Sequence, residues 1–326
     1  MTALYVTSKE KGSGVTSVCA ALGKLLIDKG KKPGYLKPVP PGTADGDAAF
    51  IGAALSLEEP VDTLSPAVTS SDIISELEKI LPRISANKDI VLIEGAPDYF
   101  EKSAEITKAL SARLLIVEPC SNDYSQAIVA YKSFGQSLLG VIFNKIPARR
   151  IRDERKAIAE QLKKVGITFL GAVEENRSLY AMTIGEMAAC IGGEMLRGED
   201  KADELVESVM LGAMTVDSGP RYFGRKENKA AVLRSERPDM ALAAMSTSTR
   251  CLVLTGDSQP LPVVMIEAEE RGIPIITTKD TTTGVVEKIE DAFSEFRAIG
   301  ENKLARFTDM VSESLDLVLV YKDLGL

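Results

Sequence analysis

Four almost unbroken apolar runs in the first half of the chain, at 89–94, 113–117, 138–143 and 168–173, restrict the fold more than anything else in the sequence. A strand with water on one face alternates apolar and polar residues. These runs are apolar on both faces, which suits parallel strands covered by helices on each side. Longer amphipathic stretches separate them, the alternation of an α/β domain with a mostly parallel sheet. Leu4 to Thr7 and Gly34 to Leu36 read as further strands, with helices over Thr16 to Lys29, Asp72 to Leu81 and Ile151 to Lys164. The last of these is highly charged and reads as a solvated surface helix.

At 326 residues the chain has the length of about two domains. The sequence places a boundary between Glu174 and Thr183, giving domains over 1–178 and 183–326. Ile184 to Ile191 forms a short helix closed by Gly192 and Gly193. A smaller α/β pattern follows, with strands at Ala230 to Leu233, Cys251 to Thr255 and Ile273 to Thr277. Helices over Pro238 to Met245 and Pro262 to Arg271 separate them, and helices over Thr283 to Phe296 and Glu301 to Leu315 close the chain. Connections of that length point to parallel crossovers.

Composition excludes several chemistries. There is no histidine, which removes Ser-His-Asp and Cys-His triads, His-ligated zinc and every imidazole acid or base. What is left is carboxylates, lysines, hydroxyls, backbone amides and a hard cation. Asp and Glu total 47 against 39 Lys and Arg, a net charge of −8, which disfavours a general nucleic-acid or anionic-membrane binder. Cys19, Cys120, Cys190 and Cys251 form no C-x-x-C pair and read as reduced thiols. The N-terminus lacks the pattern of a signal peptide, and no apolar stretch approaches the roughly 20 residues that span a bilayer. The expectation is a soluble cytoplasmic protein.

The strongest chemical signal lies between the first strand and the first helix, over Lys9, Lys11, Gly12, Ser13, Gly14, Val15, Thr16 and Ser17. Small residues there let successive backbone N–H groups turn toward one anion, with the positive end of a helix dipole behind them. Gly14 and Thr16 occupy the sixth and eighth positions of G-x-x-x-x-G-K-[ST], so the Thr16 hydroxyl is set to meet a magnesium ion. Lys9 stands in place of the first glycine and Val15 in place of the lysine. That lysine neutralises phosphate charge, and a hydrogen bond to a charged group is worth about 1.5–3 kcal/mol. Its replacement weakens triphosphate binding unless Lys9, Lys11 or Lys37 reaches in. Taken alone, the loop reads equally as an ordinary glycine-rich turn.

Neighbouring residues strengthen the phosphate reading. Lys37 follows a strand, where a point cation meets a phosphate or a carboxylate. Asp45 and Asp47 follow in a glycine-rich loop, and Glu94 ends an apolar strand. Ligands of doubly wound sheets collect at the carboxyl ends of strands. Thr16, Asp47 and Glu94 converge there as oxygen donors suited to magnesium. Separately, Asp47 reads as a helix cap and Glu94 as a strand end. Asn144 ends another strand at the same edge, where its amide either pairs with a purine ring or caps a turn. In the second half, Arg234 to Arg237, Thr255 to Ser258 and Thr277 to Lys279 are anion contacts or, more simply, caps and turns.

Taken in order, Tyr5 to Ser8 with the glycine loop, Gly34 to Val39, Asp47 to Ala49, Ile93 to Gly95 and Gly140 to Lys145 resemble dethiobiotin synthetase-like P-loop proteins. Leu57 to Pro60, Leu64 to Pro66, Thr183 to Met187, Val209 to Met214, Leu252 to Gly256 and Glu269 to Pro274 extend the likeness across nearly the whole chain. Together they resemble the N-terminal region of bacterial phosphate acetyltransferase, where such a domain precedes a DRTGG domain. The literal string Asp-Arg-Thr-Gly-Gly does not occur here. The resemblance implies a P-loop NTPase-like, mostly parallel sheet with helices on both faces, followed by a smaller α/β DRTGG-like domain. It matches Thr16, Asp47 and Glu94 to metal-site positions and Lys37 to the synthetase's catalytic lysine. It implies an adenine nucleotide, ATP or ADP, and magnesium as ligands, bound by a regulatory or sensing protein with little hydrolysis. The acetyltransferase domain of that family lies outside the likeness, so acetyl transfer is not expected. The alternatives are an ATP- and magnesium-dependent ligase of the dethiobiotin synthetase or cobyrinic acid a,c-diamide synthase type, acting on a small carboxylate or amine, and an interaction scaffold whose nucleotide site has decayed. Two acidic α/β domains are compatible with a homodimer or a partner enzyme.

Overall fold

The apolar runs become the strands of one parallel sheet. The computed structural model describes residues 2–42, 46–69, 71–121, 123–176, 179, 181–212, 219–295 and 301–326. Its first unit runs β1 (Thr2–Thr7), α1 (Val15–Asp28), β2 (Pro33–Leu36), α2 (Asp47–Ala54), α3 (Val61–Leu64), α4 (Ile73–Ile84), β3 (Ile90–Gly95), α5 (Ser103–Ala109), β4 (Arg113–Pro119), α6 (Ser125–Tyr131), β5 (Leu138–Ile146), α7 (Ile151–Lys164) and β6 (Phe169–Glu174). The strand order is β2-β3-β1-β4-β5-β6, and every pairing is parallel. β3 is buried along its whole length, as a strand covered on both faces must be. The chain leaves β1 toward one edge of the sheet, returns to β3, and crosses to β4 on the other side of β1. The loop after β1 therefore opens at the reversal of strand order, with the end of β3 on one side and the end of β4 on the other.

The second unit comprises β7 (Met182–Thr183), α8 (Ile184–Ile191), β8 (Glu194–Arg197), β9 (Leu205–Val206), β10 (Ser208–Leu211), α9 (Gly219–Phe223), β11 (Lys229–Arg234), α10 (Pro238–Met245), β12 (Thr249–Thr255), α11 (Pro262–Arg271), β13 (Ile275–Thr278) and α12 (Thr282–Glu295). Its sheet has the order β10-β11-β12-β13-β8. β10 to β13 are parallel, and β8 closes one edge antiparallel. A core of Leu233, Met240, Leu252 and Val264 fills one face, and one of Met187, Val232, Val253 and Ile289 the other. α8 starts with a full capping box, Thr183 with Glu186, which fixes its first turn.

The units divide as 1–176 with 299–326, and 177–298. This corrects the sequence reading, which kept residues 183–326 together. Two last helices, α13 (Glu301–Ser314) and α14 (Leu317–Leu324), return to the first unit, with α13 against α1 and β6. The cause is an apolar face, Leu304, Phe307 and Val311, that is buried there. Gly171 in β6 permits the approach: its φ is +145°, and a Cβ on it would lie 2.3 Å from the Ser314 carbonyl oxygen. The Asp316 amide then donates to Leu170 O at 2.8 Å, and Thr2 Oγ1 to Leu324 O at 3.1 Å.

Candidate functional site

β1 runs out into a loop that turns twice through left-handed glycines, Gly12 at φ +73° and Gly14 at φ +94°. Gly14 is the N-cap of α1 and provides no side-chain cap. A Cβ on Gly14 would lie 2.4 Å from Asn144 Nδ2, whereas the space beside Gly12 is open. Ser13 is buried, Val15, Thr16 and Ser17 are half-buried, and Lys9 and Lys11 are exposed. Lys9 Nζ lies 3.8 Å from Glu101 Oε1, so its charge is directed to the outside of the loop.

The end of β5 braces this loop. Asn144 Nδ2 donates to Ser13 O at 2.9 Å, and Lys145 Nζ donates to Gly12 O at 2.6 Å. Asn144 Oδ1 accepts from the Lys145 amide at 3.0 Å, and Lys145 itself takes a left-handed φ of +62°. Burial lowers the Lys145 pKa, against the pull of the Glu175 charge. Both ends of the Asn144 amide thus hold the main chain of the loop and its flank.

Thr16, Lys37, Asp47 and Glu94 meet below the loop. Thr16 comes from the first turn of α1, Lys37 from the residue after β2, Asp47 from the start of α2 and Glu94 from the end of β3. Thr16 Oγ1 lies 3.0 Å from Asp47 Oδ2 and 2.7 Å from Glu94 Oε1. Its single proton goes to one of them at a time. Lys37 Nζ is bonded to the same Asp47 Oδ2 and stands 3.1 Å from the same Glu94 Oε1. The other Glu94 oxygen accepts from Tyr35 OH at 2.6 Å. Lys37, Asp47 and Glu94 are 7%, 1% and 4% exposed, so these are charges taken out of water, where each interaction is strong and each unpaired group costly.

Two carboxylates and one ammonium leave the cluster a formal charge of −1. Burial raises the Glu94 pKa above the usual carboxylate range; Lys37 and the Tyr35 hydroxyl oppose the rise, while the Asp47 charge adds to it. Burial also holds the Tyr35 phenol and the Cys19 thiol well above their ordinary values, with the Glu94 charge adding to each. The donors are a hydroxyl and carboxylates, hard oxygens that suit magnesium rather than a soft metal. Among the described residues no group of three His, Cys, Asp or Glu side chains is placed to hold a metal ion. The all-oxygen set has two carboxylates, completed by a hydroxyl.

The structure thus brings Thr16, Lys37, Asp47 and Glu94 together, and it ties Asn144 to the loop backbone. Lys9 and Lys11 stay on the exposed rim, and Asp45 lies outside the described residues. Sequence reasoning missed Tyr35 and Lys145 as working parts. Tyr35 was legible in principle: residues two apart on an extended chain face the same way, and Lys37 was already singled out. In the second unit several of the flagged side chains have protein partners. Ser235 Oγ donates to Thr255 O at 3.2 Å, Ser258 Oγ to Glu236 Oε1 at 3.0 Å, and Arg237 pairs with Asp239 at 2.7 Å. The first two join the ends of the neighbouring strands β11 and β12, and the Arg237–Asp239 pair is local, at the start of α10.

Two family models match this chain, one described as AAA domain over residues 2–183 and one as DRTGG domain over residues 186–292. Phosphate acetyltransferase of Nitrosomonas europaea is 23% identical over an alignment of 367 positions, gaps included, covering 100% of this chain and 52% of the relative. The ATP-dependent dethiobiotin synthetase BioD of Methanococcus vannielii is 30% identical over 176 residues, covering 52% of this chain and 77% of that protein. The chain spans about half the length of the phosphate acetyltransferases it matches. Among solved structures, the MinD cell division protein of Aquifex aeolicus aligns with 55% of this chain and 84% of its own, at 21% identity and a TM-score of 0.38. No helix among the described residues is long and apolar enough to cross a membrane.

Proposed function

Since this chain belongs to the AAA domain family over residues 2–183 and carries a DRTGG domain after it, we propose that it is a nucleotide-binding regulatory or sensing protein that hydrolyses its ligand little or not at all. The ligand is an adenine nucleotide, ATP or ADP, with magnesium. Its phosphates would lie on the main chain from Gly12 to Ser17, at the uncapped first turn of α1. Thr16, Asp47 and Glu94 would hold the magnesium ion, which when bound screens phosphate charge. Asn144 and Lys145 keep the loop open by holding the carbonyls of Ser13 and Gly12 away from the anion.

One observation carries the reading. The position from which a lysine reaches the phosphates is Val15, while the buried Lys37 is bonded to Asp47 and Glu94. A cradle with its hydroxyl and carboxylates kept, but with the phosphate lysine replaced, favours binding over transfer. A thermal-shift titration tests it. Magnesium with ATP or ADP should raise the melting temperature, with turnover negligible. Val15→Lys should tighten triphosphate binding roughly ten- to a hundred-fold, the worth of one charged hydrogen bond. No melting response to either nucleotide would remove the proposal.

The buried Lys37 beside the two carboxylates favours a second reading, an ATP- and magnesium-dependent ligase for a small carboxylate or amine, with Lys37 at the reacting group. It requires ADP release that depends on an added acid or amine, and falls if a broad panel produces none.

A further inference from the structure

Lys37 and Thr16 share the same two oxygens. Asp47 Oδ2 meets both the Thr16 hydroxyl and the Lys37 ammonium, and so does Glu94 Oε1. Those oxygens are the ones through which the carboxylates would take a divalent cation. Lys37 is 7% exposed, and its ammonium offsets part of the charge of two buried carboxylates that would otherwise repel more strongly across a dry cluster. From this geometry we propose that Lys37 is a resident counter-cation, and that a divalent cation enters the Thr16, Asp47 and Glu94 set only by displacing it. The inference rests on the nucleotide–magnesium reading above and adds to it how the metal site is regulated.

Two consequences follow from charge alone. An ion on those oxygens with Lys37 still bonded to them would stand against a like charge within the same small cluster, so ion and ammonium exclude each other. Free magnesium therefore binds weakly, because it must break the Lys37 contacts. Magnesium that arrives on a nucleotide brings phosphate oxygens, which give the released ammonium a new anionic partner. The site then takes the metal–nucleotide complex in preference to the free ion. Tyr35, bonded to the far oxygen of Glu94, holds that carboxylate in place while its near oxygen changes partner.

The test uses the full chain and magnesium alone, followed by isothermal titration, with circular dichroism to establish that each variant is folded. Lys37→Gln removes the competing charge and should bind magnesium at least tenfold more tightly than the unaltered protein. Lys37→Arg keeps a cation there and should bind it no more tightly. A measurement on the unaltered chain covers the case in which Lys37→Gln does not fold. Saturating magnesium should speed amine modification of Lys37, read by mass spectrometry, because the ammonium leaves its buried partners. Equal or weaker magnesium affinity in folded Lys37→Gln, or magnesium that protects Lys37 or leaves its modification unchanged, overturns the proposal. If magnesium with ATP still stabilises the protein in that event, only the displacement is lost. If it does not, the nucleotide reading falls as well.

Discussion

The carboxyl edges of the two sheets carry the same kinds of residue and use them differently. In the first unit Lys37, Asp47 and Glu94 are drawn from three distant segments and buried together. In the second, Arg234 and Glu236 pair two residues apart at 3.3 Å, with side chains 71% and 48% exposed. Burial is what separates them. An exposed pair is screened by water and salt and contributes little, whereas a buried cluster holds its members because leaving any one unpaired is costly. A chain keeps such a cluster at a stability cost, which is the kind of arrangement that marks a working site. The second edge, by contrast, carries an exposed pair.

The largest expected effect is on the buried side. Lys37→Met removes the ammonium that two buried carboxylates share and should lower stability by about 3–5 kcal/mol at neutral pH, measured by denaturant unfolding. Its pH dependence has a definite sign. Glu94 is already raised above 4.5 in the folded protein and rises further without Lys37. The folded state then binds more protons than the unfolded one above that value, so stability falls as pH increases. The deficit should be smaller near pH 5 than at pH 7, and the double variant Lys37→Met with Glu94→Gln should recover much of it. A uniform deficit across that range would show that the loss comes from packing rather than charge.

Lys229 is a buried charge of the second unit, and it sharpens the contrast. Lys229 is wholly buried at the start of β11. It donates to Lys226 O, Thr247 Oγ1 and Ser248 O at 3.2, 2.9 and 2.7 Å. These are neutral acceptors, so burial is not offset by an opposite charge, and the Lys229 pKa is lowered from 10.5 to about 8. Lys229→Met would orphan acceptors and cost about 2 kcal/mol at pH 7. Between pH 8 and 10.5 the unfolded chain binds the proton that the folded one has lost, so the unaltered protein gains stability as pH rises through that window. The gap to Lys229→Met, which cannot titrate, should therefore widen across it. A gap that stays constant would mean that Lys229 remains charged throughout.

How far the sequence could be read follows the same division. Strands buried on both faces wrote themselves as apolar runs, so β3, β4, β5 and β6 were legible, as was the α10–β12–α11–β13 succession. The convergence of Thr16, Asp47 and Glu94 was legible because oxygen-bearing residues at two helix starts and one strand end have a clear chemical use at that edge of the sheet. Contacts decided by packing were not. The return of α13 to the first unit depends on Gly171 lying under Ser314, 143 positions away along the chain, and no local pattern announces that. β8 is short and half-exposed, with too few residues for alternation to register. Asn144 allowed a base-pairing edge or a turn cap, and only its 2.9 Å bond to Ser13 O shows where its amide is spent.

The smallest expected effect is the one that most directly tests the contrast between the two edges. Glu236 accepts from Ser258 Oγ at 3.0 Å and pairs with Arg234. These contacts hold its pKa below the usual carboxylate range, with the Ser258 hydrogen bond the foremost cause. The group is exposed, so water and salt replace most of what the substitution removes. Glu236→Gln should leave the melting temperature unchanged at physiological ionic strength, and it should leave nucleotide-induced stabilisation unchanged as well. A drop of several degrees, or a loss of the nucleotide response, would show that this edge is more than a set of turns. The distinction drawn from burial would then have to give way to one drawn from what each edge binds.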